Sequence, residues 1–75
     1  MGKSGGRITN EIRMLRFHHG QMTQQQLADA IGVTRQTVNA IEANKYSPSL
    51  EVAFRIANAF GVPLEQVFQY GDAIH

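Results

Sequence analysis

Apolar residues recur at helical spacing through most of this chain, and the breaks fall on residues that start or stop helices. "NEIRMLRFHH" places Ile12 and Leu15, with His19, on one stripe behind Asn10 as N-cap. Thr23 opens a second segment. Gln26 stands three residues on, at capping-box spacing, and Met22 and Leu27 occupy the two positions of a hydrophobic staple. Thr34 opens a third, where Val33 and Val38 repeat the staple. Ser49, after Pro48, opens a fourth that runs to about Phe60, with Leu50, Ala53, Phe54 and Ala57 inward and Gly61 just past its end. "PLEQVF" supplies one or two further turns. "FQYGD" alternates aromatic and polar residues as a short strand does, and "GRIT" at the other end is a candidate to pair with it. The pattern predicts an all-α, five-helix, single-layer domain, with a short two-stranded β-ribbon from the termini as an option.

The stretch "TQQQLADAIGVTRQTVNAIE" sets two short helices almost end to end. They can cross steeply only if a small residue lets the backbones approach and the turn tolerates left-handed angles. Ala28 and Gly32 answer those two demands. Val38 and Ile41, three apart, would anchor the second helix to the core. Its opposite face then carries Arg35, Gln36, Asn39, Ala40 and Ala43, with Thr37 at the flank. Such a face suits the major groove: Arg reaches guanine acceptors, Gln and Asn pair with adenine, and small residues let the helix axis approach. An ordinary solvated face would carry mixtures of Glu, Lys and Ala instead.

Composition narrows the function further. Seventy-five residues suit one domain near the lower limit for an unstapled core. There is no cysteine, so no disulfide framework or thiolate metal site, and the three histidines stand at no ligand spacing. His18 and His19 are adjacent at a helix end, placed to face solvent or to assist phosphate binding when protonated. No apolar run approaches a membrane span, and "MGKSGG" lacks the core of a signal peptide, so residues 1–6 are expected to be a flexible tail before a domain at 7–75. No metal, cofactor or membrane is expected. An enzyme is disfavoured, with no nucleophile–base pair, no phosphate loop and little room for a deep pocket. The formal charge of +1 divides unevenly: residues 1–45 hold six Lys and Arg against three Asp and Glu, a net of +3, and residues 46–75 hold one against three, a net of −2. A basic half and an acidic half suggest that one face meets a polyanion.

With these residues in view, "MTQQQLADAIGVTRQTVNAIEANKYSPSLEVAFRIANAFGVPLEQVF" resembles the Cro/repressor-type helix-turn-helix family, also called the xenobiotic-response-element family, across Ile8 to Phe68. The resemblance implies a lambda-repressor-like DNA-binding domain, its helix-turn-helix at about 23–43, in a cytoplasmic transcriptional regulator. "TRQTVNAIEANKYSPSLEVAFRIA" and "VFQY" look most like a compact branch whose members are little more than this domain and form homodimers with a small terminal ribbon. It implies that Arg35, Gln36, Thr37 and Asn39 face bases and adjacent phosphates, and that Gln24, with Thr23 beside it, meets a backbone phosphate. The amides and side chains of Asn44 and Lys45 match phosphate-contacting positions, which fix register without reading sequence. Arg16 and Glu42 match an internal salt bridge of some members. Three departures stand out: "HHGQMT" is one residue longer than the commoner turn, Ala40 replaces a base-reading glutamine of some phage repressors, and Pro63 replaces a serine cap.

The favoured function is a sequence-specific regulator of double-stranded DNA, a repressor acting as a homodimer on a palindromic operator. The competing one is an antitoxin or protein-interaction module of the same fold, with a toxin or sensor as partner. One short reading helix on a chain of net +1 contacts few phosphates, so a two-fold pair is expected. Its surface should lie away from the basic half, on Leu64, Val67, Phe68 and Tyr70.

Overall fold

Helices of only eight residues do not persist in water unless their ends are satisfied and one face is buried. Both conditions are met here. The computed structural model describes residues 8–71, and its elements run β1 (Ile8–Asn10), α1 (Ile12–His18), α2 (Gln24–Ile31), α3 (Arg35–Glu42), α4 (Leu50–Phe60), α5 (Leu64–Val67) and β2 (Phe68–Tyr70). The tail expected at 1–6 lies outside the described residues. At the start of α2, Thr23 Oγ1 accepts from the Gln26 amide at 3.0 Å and Gln26 Oε1 accepts from the Thr23 amide at 2.8 Å, completing the capping box. Thr34 caps α3 through the Thr37 amide, and Ser49 caps α4 through that of Val52. Each cap contributes about 1 kcal/mol. Helix α2 stops at Gly32, whose φ of 78° lets its amide, and that of Val33, close on the Ala28 carbonyl.

The core gathers Ile12 from α1, Leu27, Ala28 and Ile31 from α2, Val38 and Ile41 from α3, Ile56, Ala57 and Phe60 from α4, and Val67 from α5. Met22 and Val33, the outer members of the two staples, pack half-buried against it. Full burial of a side chain the size of Leu or Ile contributes about 1.5–3 kcal/mol, so a few such residues decide whether the domain folds. His19 is exposed, yet its ring meets Phe60 edge-on with centroids 5.6 Å apart.

Helix α4 buries a different stripe from the one its periodicity suggested. Ala53 and Ala57 are inward as expected, but Ile56 and Phe60 join them, while Leu50 is 68% exposed and Phe54 is also exposed. The two stripes share Ala53 and Ala57, so spacing cannot separate them; contact with α2 selects the register. Arg55, on the flank, donates to the Ile31 carbonyl at 3.2 Å across that contact.

The termini do pair. Strands β1 and β2 are antiparallel, with Ile8 opposite Tyr70, Thr9 opposite Gln69 and Asn10 opposite Phe68. Asn10 was expected as the N-cap of α1, but it belongs to the ribbon and Glu11 takes the cap position without a side-chain bond. The Asn10 side chain still serves the helix, accepting from the Ile12 amide at 3.1 Å. Helix α5 is only four residues long and starts at Pro63 without a side-chain cap, as the loss of a serine there would dictate. Val67, expected on a partner surface, is instead fully buried at 0% exposure, because the last turn of α5 points it under the ribbon into the core.

Ala28 is also at 0% exposure, where α2 meets α3. Ala28→Leu is expected to lower stability by about 1–3 kcal/mol through overpacking, read as a fall in the urea midpoint at unchanged slope. A midpoint equal to the parent's would show that the crossing has room to spare.

Candidate nucleic-acid interface

Helix α3 is held from below by two apolar side chains, Val38 and Ile41, each 1% exposed. On its outer face Arg35, Gln36 and Asn39 are exposed, Ala43 is exposed beyond the helix end, and Ala40 is half-buried between them. Thr37 sits half-buried at the flank, its hydroxyl 2.9 Å from that of Thr34, so it is partly absorbed by the cap. The face is therefore a row of long polar side chains around two small ones, as the sequence suggested.

What fixes the roll of this helix is a polar cluster at its C-terminal half. Arg16 of α1 reaches Glu42 with two bonds, Nε to Oε2 at 2.6 Å and Nη2 to Oε1 at 3.0 Å. Its remaining arm, Nη1, donates to the Met22 carbonyl at 2.8 Å. The pair is largely withdrawn from water, with side-chain exposures of 15% and 9%. Gln24 adds a third donor to Glu42 at 3.1 Å and a second bond to Asn39 Oδ1 at 3.2 Å. One bidentate ion pair and one amide thus connect α1, α2 and α3.

The long turn before α2 does not break this arrangement. Gly20 and Gln21 both adopt positive φ, 77° and 57°. The Arg16 carbonyl accepts from the amides of both His19 and Met22, which closes the turn onto the end of α1.

The geometry changes what two expected phosphate contacts can offer. Both hydrogens of the Gln24 amide are already spent inside the protein. The backbone amides of Asn44 and Lys45 are also taken, by the carbonyls of Ile41 at 3.0 Å and Ala40 at 2.9 Å, leaving only their side chains to point outward. Asn44 holds φ 60°, a left-handed backbone that Asn tolerates better than most residues, and its Oδ1 accepts from Asn10 at 3.0 Å. Thr23 is exposed beside Gln24; its hydroxyl oxygen accepts the cap bond, and the O–H is left to donate. Asn39 keeps its Nδ2 hydrogens without a partner among the described residues, while its oxygen is held by Gln24. A donor-only Asn39 can meet a purine N7 but not pair bidentately with adenine unless Gln24 lets go.

One residue was missed by the sequence reading. Arg13 is exposed, has no ion-pair partner among the described residues, and borders an open cleft of about 380 Å³ with Arg16, Gln24, Asn39, Glu42 and Ala43. Its spacing of three from Arg16 on one short helix was the available signal. Of the residues expected at a partner surface, Leu64 and Phe68 are half-buried and Tyr70 is 77% exposed. Leu64 and Phe68 line an apolar depression of about 340 Å³ with Ile8, Pro48, Leu50 and Ala53. Among the described residues no helix is long and apolar enough to cross a membrane.

Comparison with known proteins follows the same outline. The helix-turn-helix family matches residues 12–67. An uncharacterized HTH-type transcriptional regulator of Methanocaldococcus jannaschii is 49% identical over 65 residues, which cover 87% of this chain and 97% of that protein. A cryptic phage transcriptional repressor from Vibrio cholerae is 34% identical over 60 residues, covering 80% of this chain and 53% of its own length. Among solved structures, a protein from Bacteroides fragilis superposes with a TM-score of 0.71 at 26% identity, covering 83% of this chain and 98% of that one.

Arg16→Met strands the half-buried Glu42 carboxylate with a single amide donor, and is expected to cost about 1–3 kcal/mol, less than breaking a fully buried pair because the adjoining cleft lets water reach the carboxylate. Adding Glu42→Leu should restore much of that loss, since no unpaired charge then remains. Chemical unfolding of the single and double variants tests this, and a double variant no better than the single one would mean the pair contributes through something other than charge satisfaction.

Proposed function

This chain belongs to the helix-turn-helix family of DNA-binding transcriptional regulators, and from that membership we propose that it is a repressor that reads a palindromic operator as a homodimer. The observation that carries the proposal is the outer face of α3, where Arg35, Gln36 and Asn39 stand exposed on a helix whose roll is fixed by Arg16, Glu42 and Gln24. A reading helix must present donors at a defined angle, and here that angle is built in before DNA arrives. Repression rather than activation is favoured by the phage repressor among its relatives.

In this reading Arg35 and Gln36 meet base edges, Asn39 donates to a purine, and Thr37 supports them from the flank. Ala40 brings the helix axis close or touches a thymine methyl. Lys45, the Asn44 side chain and Arg13 sit on phosphates, with Thr23 beside them. Gln24 joins by exchanging one of its internal bonds for a phosphate oxygen. Phosphate neutralisation supplies affinity without sequence preference, and the α3 donors supply the preference.

The second copy would sit on the apolar depression beside the ribbon, an isologous contact through Leu64, Phe68 and Tyr70, to which Ile8 and Leu50 add surface. Val67 supports that surface from beneath and takes no part in it. A two-fold pair doubles the phosphate contacts and sets two α3 helices roughly 34 Å apart, one turn of DNA.

Two measurements test these assignments. Gln36→Ala is expected to weaken a site selected from random duplexes by about 1–3 kcal/mol and to relax preference at one base step only. Unchanged affinity and unchanged preference would remove α3 as the reader. Leu50→Asp is expected to leave the fold intact, because Leu50 is exposed, and to convert a dimer to a monomer in sedimentation equilibrium. A parent that is monomeric at micromolar concentration and still binds a palindrome tightly, without cooperativity, would overturn the dimer.

A further inference from the structure

Asn10 makes three side-chain hydrogen bonds to parts of the chain that are otherwise distant. Its Oδ1 accepts from the Ile12 amide at 3.1 Å, and its Nδ2 donates to both the Ile41 carbonyl and Asn44 Oδ1, each at 3.0 Å. The carboxamide is thereby saturated in its donors. Its backbone is fixed from the other side, because Asn10 pairs with Phe68 in the ribbon and the next amide, that of Glu11, donates to the Val67 carbonyl at 2.9 Å. One side chain therefore ties the ribbon to the end of the recognition helix and to the loop that follows it.

The bond to Asn44 has a chemical consequence. A carboxamide can present either its oxygen or its NH₂ to the outside, and only the NH₂ suits a phosphate. Asn10 offers a donor, so Asn44 must turn its oxygen inward. Its Nδ2 hydrogens are left without a partner among the described residues. Because the backbone amides of Asn44 and Lys45 are both occupied by helix carbonyls, these two residues have only their side chains to offer an anion.

We propose that Asn10 is a positioning residue for DNA binding, which holds the Asn44 carboxamide donor-side out and the Asn44–Lys45 loop in place, so that closing the β-ribbon and arming the phosphate loop are one event. The proposal rests on the reading that this loop meets phosphate. It also makes the ribbon, remote from the reading helix in sequence, a contributor to affinity. Opening the ribbon withdraws Asn10 and frees Asn44 to rotate.

Asn10→Ser tests it. Serine can still accept from the Ile12 amide and preserve the local turn, but it is too short to reach Asn44. Binding would be followed on a random-sequence duplex and on a selected one across a salt titration, with circular dichroism and sedimentation as checks on fold and assembly. The expected result is a several-fold loss of affinity on both duplexes, a salt slope close to the parent's because a neutral carboxamide releases no counterion, and an unchanged sedimentation profile. In an Asn44→Gly background, where glycine keeps the positive φ, Asn10→Ser should cost less than in the parent, since only its bond to the Ile41 carbonyl remains to be lost. A folded Asn10→Ser protein that binds like the parent, while Lys45→Ala lowers the salt slope, would overturn the proposal and leave the loop reading standing. If Lys45→Ala leaves the slope unchanged and Asn44→Gly leaves affinity unchanged, the loop reading fails and the proposal falls with it. Should the serine variant not fold, Asn44→Gly carries the test alone: it removes the outward NH₂ while Asn10 keeps its bonds to Ile12 and Ile41, and parental affinity in that variant would equally overturn the proposal.

Discussion

The Arg16–Glu42 pair is the interaction on which the rest of the arrangement depends. Helix α3 has eight residues, and only Val38 and Ile41 anchor it to the core. Two apolar contacts on one edge leave a helix free to roll. Glu42 follows Ile41 directly but projects about 100° round the helix from it, and there it is held by two bonds from Arg16 and one from Gln24. A buried ion pair is seldom a strong net source of stability, since desolvation offsets most of the attraction. Its directionality is what this helix uses: a planar guanidinium facing a carboxylate accepts one geometry, whereas an apolar contact accepts many.

The same logic explains why the cluster is polar at all. A reading helix cannot be amphipathic in the ordinary way, with charged residues repelling neighbours on its open side, because that side must meet a dense row of phosphates and base edges. Glu42 is the only carboxylate on α3, and it is turned inward and neutralised by Arg16. Left exposed beside Arg13 and Asn39, it would repel the backbone that the proposed contacts approach. Burying it against an arginine removes the liability and supplies the anchor in one step.

Much of this was legible in the sequence. The capping residues Thr23, Thr34 and Ser49, the terminator Gly32 and the staples around Val33 and Met22 each obey local rules, so they predict α2, α3 and α4 with nearly correct ends. The terminal ribbon was legible only as an option, because its two strands are three residues each and close a loop spanning nearly the whole chain. What failed was tertiary. Leu50 and Phe54 fit the helical period as well as Ile56 and Phe60 do, and Val67 looks no different from Phe68 until α5 is placed under the ribbon. Asn10 obeyed a local rule, serving the first amide of α1, while its longer-range bonds to Ile41 and Asn44 leave no trace in spacing. The face of α3 was legible because its residues are chosen for what they point at; the orientation of each amide on it was not, since Gln24 and Asn39 decide that between themselves.

The surplus of apolar surface then follows from size. A chain this short has a core cluster of ten well-buried residues and cannot cover every large side chain it carries. Among the described residues Ile8, Met14, Phe17, Tyr46, Leu50, Phe54 and Tyr70 remain exposed, and Ile8, Leu50 and Tyr70 belong to the ribbon or to the start of α4 beside it. Exposed apolar groups gathered in this way favour association, while the basic residues of the first half favour DNA. The ribbon and the C-terminal end of α3 are neighbours, and Asn10 touches both, paired in the ribbon and bonded to Ile41 and to the loop behind α3. Under the proposed reading, the surface offered to a second copy and the loop offered to phosphate are therefore joined through the two bonds of that side chain.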